Sequence, residues 1–218
     1  METRLRDGAR RIVPIGIAAV AFGVSFGVLA RTAGMGVWAP IVMSATTFAG
    51  SAQFAAASIL HTGGSVTAAV AAAALLNARY VPISISVAQL FRGRPLLRRL
   101  VESQLIVDES WAVSARPEGG FDLRLLLGAG LLLYPCWVGG TVIGVVGGGL
   151  LGDPNRLGLD AAFPALFLAL LAPQVRGRRP LLAACLGGAI ALALVPFVPP
   201  GVPIVVASLA CLVGWTRP

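Results

Sequence analysis

The chain has 218 residues, 57% of them apolar, with 27 glycines and only 12% charged side chains, and its mean hydropathy is +0.86. That balance excludes a soluble globular domain and a disordered one, and leaves an integral membrane protein. The formal charge is +8 and every basic side chain is Arg. These arginines cluster between apolar runs without interleaved aromatics, so they argue for orientation in a bilayer rather than for nucleic-acid binding.

Crossing the hydrocarbon takes about 20 apolar residues at about 1.5 Å rise each. Apolar stretches cover 12–31, 41–60, 66–91, 124–151, 160–175, 180–198 and 201–216, with a mixed stretch at 95–115. The sequence therefore predicts an all-α polytopic membrane helical bundle, one domain over 1–218, with about 6–8 membrane segments, at least one of them broken or re-entrant. The first run, from Ile12 to Ala30, is too long for the apolar part of a signal peptide and lacks a small-residue cleavage site. It reads as an uncleaved first helix.

Arg-rich ends mark the N-terminus (Arg4, Arg6, Arg10, Arg11), the stretch Arg92–Arg99 and the stretch Arg176–Arg179. By contrast, 152–159 and 197–201 carry little positive charge. The positive-inside rule puts both chain ends and the two Arg-rich loops in the cytoplasm. Three full spans before Arg92 would contradict that placement. Either 41–60 is broken or re-entrant and 95–115 is interfacial, or 95–115 crosses back as an eighth segment; both readings stay open.

Within 41–60, the stretch SATTFAGSAQFAA crowds Ser44, Thr46, Thr47, Ser51 and Gln53 around Gly50 with no charge among them. On a regular helix Ser44, Thr47, Ser51 and Ser58 fall on one side, and Thr46, Gly50 and Gln53 nearly opposite. No face is left clean for lipid. The segment is then either a central helix whose small residues admit close neighbours, or a helix interrupted near Gly50 whose freed backbone groups and hydroxyls coordinate a solute.

In the 66–91 run, LLNARYVPISIS places Asn77 and Arg79 near the middle, and Pro82 removes the amide that would bond the Ala78 carbonyl. An Arg at the bilayer centre costs about 2.5–3.5 kcal/mol on insertion scales. That makes Arg79 a functional candidate, with a structural ion pair as the plainer alternative. The stretch ESQLIVDESWAV adds Glu102, Asp108 and Glu109. Glu102 and Glu109 share one face of a continuous helix, which fits a surface helix with solvated acids. The apolar residues around Asp108 and Glu109 fit carboxylates held in a dry setting and able to carry protons. Of the three acids these two lie deepest in apolar sequence, so either is a candidate partner for Arg79.

The second half is less informative. Asp160 suits an N-cap with Pro164 near the first turn, and Gly139, Gly140, Gly144 and Gly147–Gly149 form a small-residue packing stripe. Cys136, Cys185 and Cys211 lie in apolar segments without metal-ligand spacing and read as small core residues. Neither a metal nor a cofactor is expected. A serine–histidine pair made of Ser51 and His61, the only histidine, would be ten residues and about 15 Å apart on a regular helix, too far for catalysis.

Taken together, MSATTFAGSAQFAAASIL, NARYVPISIS, VDES and LGLDAAFPALFLALL resemble, in order and spacing, the AzlC-type large subunit of bacterial branched-chain amino acid exporters, the azaleucine-resistance family. FAGSAQFAA is the most specific part. The resemblance implies a secondary transporter, not an enzyme, exporting Leu, Ile, Val and in some members Met across the bacterial inner membrane on the proton gradient. It also implies a separately encoded AzlD-type small membrane subunit. Carried over residue by residue, Gly50, Ser51, Gln53, Asn77 and Arg79 would bind substrate, and Asp108 and Glu109 with Arg79 would couple protons or form an ion pair. Tyr80 stands where relatives include His, and receives no proton role. Export of another small neutral solute, or a channel-like subunit, is the alternative.

Overall fold

Two long apolar helices, α1 (Leu5–Thr32) and α8 (Leu123–Gly147), form the spine of the molecule. The computed structural model describes residues 4–148, 168, 171, 172, 175, 177–198 and 202–214. Along the spine Gly8 faces Leu125, Gly23 faces Trp137 and Thr141, and Gly27 faces Thr141 and Val145, so the two helices run parallel. From α8, Gly128 meets Leu5, Gly140 meets Val20 and Gly144 meets Val24. A Cβ at Gly23 would stand 2.6 Å from the Trp137 carbonyl oxygen, so the backbones themselves are in contact. Close approach of this kind is what holds helices together in lipid, where burial of apolar surface gives no advantage. Of the glycine stripe seen in the sequence, Gly140 and Gly144 belong to this seam, whereas Gly139 and Gly147 meet nothing within 4 Å.

Between the spine helices come α2 (Trp38–Thr46), α3 (Gly50–His61), α4 (Val66–Asn77), α5 (Tyr80–Val87), a 3-10 turn at Ala88–Phe91, α6 (Leu96–Ser103) and α7 (Asp108–Ser114). Among the described residues, three stretches are long and apolar enough to cross a membrane: Leu5–Thr32, Val66–Phe91 and Leu123–Gly147. Phe91 packs with Leu126 and Leu127 near the start of α8, so Val66–Phe91 runs against the direction of α1 and α8. The residues between Thr32 and Val66 consequently begin and end on one face. Those between Phe91 and Leu123 begin and end on the other, the face that carries Arg4, Arg94 and Arg124.

Segment 41–60 is broken: α2 descends to the level of Tyr134 and Thr141, and α3 climbs back. Segment 95–115 is not one interfacial helix but two short ones, so Glu102 and Glu109 do not share a helical face. It enters from the opposite side, with Leu105 against Gly130, and Gln104 Nε2 donates to the Thr46 carbonyl at 2.6 Å. The tips of the two helix pairs therefore meet inside the protein. Asp122 closes the return by capping α8, accepting from the amides of Arg124 and Leu125.

The expectation that 41–60 has no lipid-facing side holds only for α3, whose residues from Ser51 to Ala57 are all buried. On α2, Val42 is 56% exposed. Helix Arg178–Leu194 packs on Val202–Ala207 and on a 3-10 segment at Ser208–Gly214, and Val202–Ala207 also touches α4. Cys136 is half-buried and Cys185 exposed, which corrects the reading of Cys185 as a core residue. Asp160, Pro164 and nearly all of segment 160–175 lie outside the described residues.

Gly23→Ala and Gly144→Ala should each lower the melting temperature of the detergent-solubilised protein. Gly139→Ala, on an open face, should leave it unchanged or raise it, since alanine is better than glycine in a helix interior by about 1 kcal/mol. Identical melting of all three variants would rule out the seam.

Candidate functional site

An interrupted helix leaves backbone groups without partners, and at membrane depth each must be satisfied within the protein. Here α2 ends at Thr46, Phe48 takes a positive φ of 43°, and α3 restarts at Gly50. The break is thus centred on Phe48, a residue with a real steric penalty in that conformation, of roughly 1–2 kcal/mol. The freed carbonyls of α2 are taken by side chains: Tyr134 Oη donates to Ala45 O at 2.8 Å and Gln104 to Thr46 O. The Phe48 ring lies edge-on to Tyr134 with centroids 5.2 Å apart.

A second set of bonds ties α2, α3 and α8 behind the break. Trp137 Nε1 donates to Gln53 Oε1 at 3.0 Å, Gln53 Nε2 donates to Ser44 Oγ at 2.8 Å, and Ser44 and Thr141 hydroxyls are 2.8 Å apart. Thr141 then donates to the Trp137 carbonyl at 3.0 Å. Ser44 and Gln53, placed on opposite sides by a regular helix, are brought together because the chain turns between them.

In front of the break lies a cavity of about 250 Å³. One side is polar: Gly50 and Ser51 at the start of α3, Arg79 and Tyr80 at the junction of α4 and α5, and Asp108 and Glu109 at the start of α7. The other side is apolar, with Ile15, Ala18, Ala19 and Phe22 of α1 and Leu133 of α8. Arg79 organises the polar side. Its Nη2 donates to Ser51 Oγ at 2.7 Å and stands 2.9 Å from Asp108 Oδ2, and its guanidinium lies 5.4 Å from the Tyr80 ring centroid. The side chains of Arg79 and Asp108 remain 34% and 29% exposed, so the pair opens onto the cavity. Glu102 is occupied elsewhere, 2.9 Å from Arg98 and paired also with Arg94.

Of the residues singled out in the sequence, Gly50, Ser51, Arg79, Asp108 and Glu109 share this cavity. Gln53 does not line it; the side chain is fully buried and bonded on both ends, and it braces the wall through Trp137. Asn77 lines a neighbouring polar cavity of about 220 Å³, which shares Phe48 and Tyr80 with the first. Asn77 Oδ1 and Arg79 Nε are buried and have no hydrogen-bond partner among the described residues. Unpaired buried polar atoms are costly, about 1–3 kcal/mol each, and are rare outside places where a ligand or water completes them. The junction that carries both differs from the sequence reading in one respect. The Ala78 carbonyl is not free, because the Val81 amide turns back to it at 3.1 Å, and Pro82 falls in the first turn of α5 where its missing amide is harmless.

Sequence reasoning missed Trp137, Tyr134, Phe48 and Gln104. The only signal for the first two was an aromatic with a polar tip deep in an apolar run, which in lipid demands a partner. Gly50 has its own reason to be glycine. A Cβ there would come within 3.0 Å of the Trp137 ring.

Among the described residues, three helical stretches long and apolar enough to cross, two helix pairs that enter from opposite ends and a half-polar cavity where their tips meet define an all-helical membrane protein with an internal solute-sized site. The chain belongs to the AzlC family: the family model described as AzlC protein matches residues 14–151. An uncharacterised membrane protein of Archaeoglobus fulgidus is 35% identical over 96% of this chain and 94% of its own length. The protein of Bacillus subtilis named as the branched-chain amino acid transport protein AzlC is 27% identical over 74% of this chain and 64% of its own length. A further uncharacterised membrane protein, from Helicobacter pylori, is 24% identical over 78% and 75% of the two chains. No solved structure matches.

Two stability measurements check this geometry. Trp137→Phe leaves the buried Gln53 oxygen without its donor and should destabilise by about 1–3 kcal/mol. In a double-mutant cycle, Arg79→Ala with Asp108→Asn should be more stable than the sum of the single losses predicts, with a coupling of about 0.5–3 kcal/mol. Strict additivity would mean that the two charges act independently.

Proposed function

We propose that this protein is the large subunit of a secondary transporter that exports branched-chain amino acids. Its range would cover Leu, Ile and Val, and extend to Met, across the bacterial inner membrane. The observation that carries this reading is the division of the cavity into a charged wall and an apolar wall. A zwitterion with a hydrocarbon side chain needs both, because an apolar site cannot hold its charged groups without hydrogen bonds and counter-charges. Gly50 and Ser51, at the start of α3, line the same space as Arg79, a setting for the carboxylate, since helix N-termini favour anions. Asp108 and Glu109 suit the ammonium group. The volume of about 250 Å³ is below the roughly 300–1,000 Å³ typical of drug-sized pockets, in keeping with one small solute.

Coupling follows from the same contacts. Protonation of Asp108 would release Arg79, which then either binds the substrate carboxylate or reorients; the proton would thus be exchanged for the amino acid. The family resemblance and the name of the Bacillus subtilis relative support transport of branched-chain amino acids. The charge pattern supports cytoplasmic ends. An AzlD-type small membrane subunit would complete the transporter, with no cofactor or metal taking part and no enzymatic step.

Counterflow of labelled Leu into vesicles, with and without the companion subunit, tests the reading directly. Gly50→Leu should abolish exchange while the protein still inserts, because the new side chain meets the Trp137 ring, and Arg79→Ala should abolish it as well. His61→Ala, at the far end of α3, should exchange as wild type does. Unimpaired Leu counterflow by Gly50→Leu, or none by the wild-type pair of subunits, would overturn the proposal.

A further inference from the structure

The apolar wall of the cavity comes mainly from one helix. Ile15, Ala18, Ala19 and Phe22 of α1 line it, spaced three and four residues apart, so they form one stripe along the helix. The two alanines in the middle of that stripe leave a recess, with Ile15 and Phe22 at its ends. Ala19 and Phe22 also pack against the buried cluster that holds Phe48, Leu133 and Trp137, and these three border the cavity as well. Around Ala19, then, the space is bounded by packed core.

The two walls differ in how firmly they are held. On α1, Val20 meets Gly140, and a Cβ at Gly23 would stand 2.6 Å from the Trp137 carbonyl oxygen, so the stripe belongs to a helix in backbone contact with α8. The polar wall is instead made of helix ends: the start of α3, the junction of α4 and α5, and the start of α7. Arg79 and Asp108 on that wall supply the only kind of contact that can hold charged groups away from water. A substrate held there by its charged groups turns its side chain towards α1. The room it finds is set by side-chain volume on a wall that does not give way.

We propose that Ala19 sets the size of side chain the site accepts, with Phe22 closing one end of the recess. This rests on the transport reading and adds to it the residues that choose among neutral amino acids. Discrimination by an apolar pocket changes roughly 10–200-fold for a single methylene. Leu in place of Ala19 adds to the wall the same carbons by which leucine exceeds alanine as a substrate. The substitution therefore removes the space for the one and leaves room for the other.

The test compares counterflow of labelled Leu, Ala and Phe in vesicles carrying the wild type, Ala19→Leu, Phe22→Ala or Ala21→Leu, each with the companion subunit. Ala21 is exposed on α1 and does not line the cavity. The ratio of Leu to Ala exchange should fall by about tenfold or more in Ala19→Leu and stay at the wild-type value in Ala21→Leu. Phe22→Ala opens the recess and should raise the ratio of Phe to Leu exchange by about tenfold or more. A ratio reads selectivity rather than the amount of folded protein, and Phe22→Ala decides the matter if Ala19→Leu does not fold. Wild-type ratios in the cavity variants, or an equal fall in Ala21→Leu, would overturn the role of Ala19 and leave the transport reading standing. Absence of Leu exchange by the wild type would overturn both.

Discussion

No backbone amide or carbonyl can be left unpaired at the depth of the hydrocarbon, and this demand governs every irregular stretch of the chain. A helix interrupted there frees carbonyls on one side of the break and amides on the other. In this protein the carbonyls of Ala45 and Thr46 are closed by Tyr134 and Gln104. Gly50 and Ser51, at the start of α3, instead line a cavity. That asymmetry shapes the site: one end of the interruption is sealed by side chains, and the other borders the cavity.

The seal needs its donors at fixed positions, and those positions depend on how closely α1 and α8 approach. Trp137 and Thr141 hold Gln53 and Ser44 on one side, while their own backbone lies against Gly23 and Gly27. Widening the spine by one methyl group would move Trp137 relative to Gln53, so packing and polar satisfaction are a single constraint. Arg79 is bound by the same logic, since Ser51 and Asp108 come from the two helix pairs and reach it only if both tips are in place.

Much of this was legible in residue types. Polar side chains around Gly50 without charge, a mid-membrane Arg and a carboxylate pair in apolar sequence each contradict a lipid-facing helix, so sequence alone marked the segments that build the cavity. Gly50, Ser51, Arg79, Asp108 and Glu109 meet there. What could not be read was register across the break. Helical periodicity put Ser44 and Gln53 apart, whereas a turn at Phe48 joins them. Phe48 itself gave no sign, because a positive φ is ordinarily signalled by Gly or Asn. Direction was also hidden: the parallel course of α1 and α8 shows only in their glycine contacts.

The order of elements has one more consequence. α1 crosses and is followed by α2 and α3, which enter and leave on the face where α1 ended. Val66–Phe91 crosses the other way and is followed by α6 and α7, which do the same on the opposite face. The two units repeat one pattern upside down, as in transporters whose site lies at the midplane between inverted repeats. Arg79 sits on the second unit and bridges Ser51 of the first to Asp108 of its own. Within residues 5–114 the same order of elements is thus presented to the two ends of the bundle, and what tells the ends apart there is side chains such as Ser51 and Asp108 that only one unit carries.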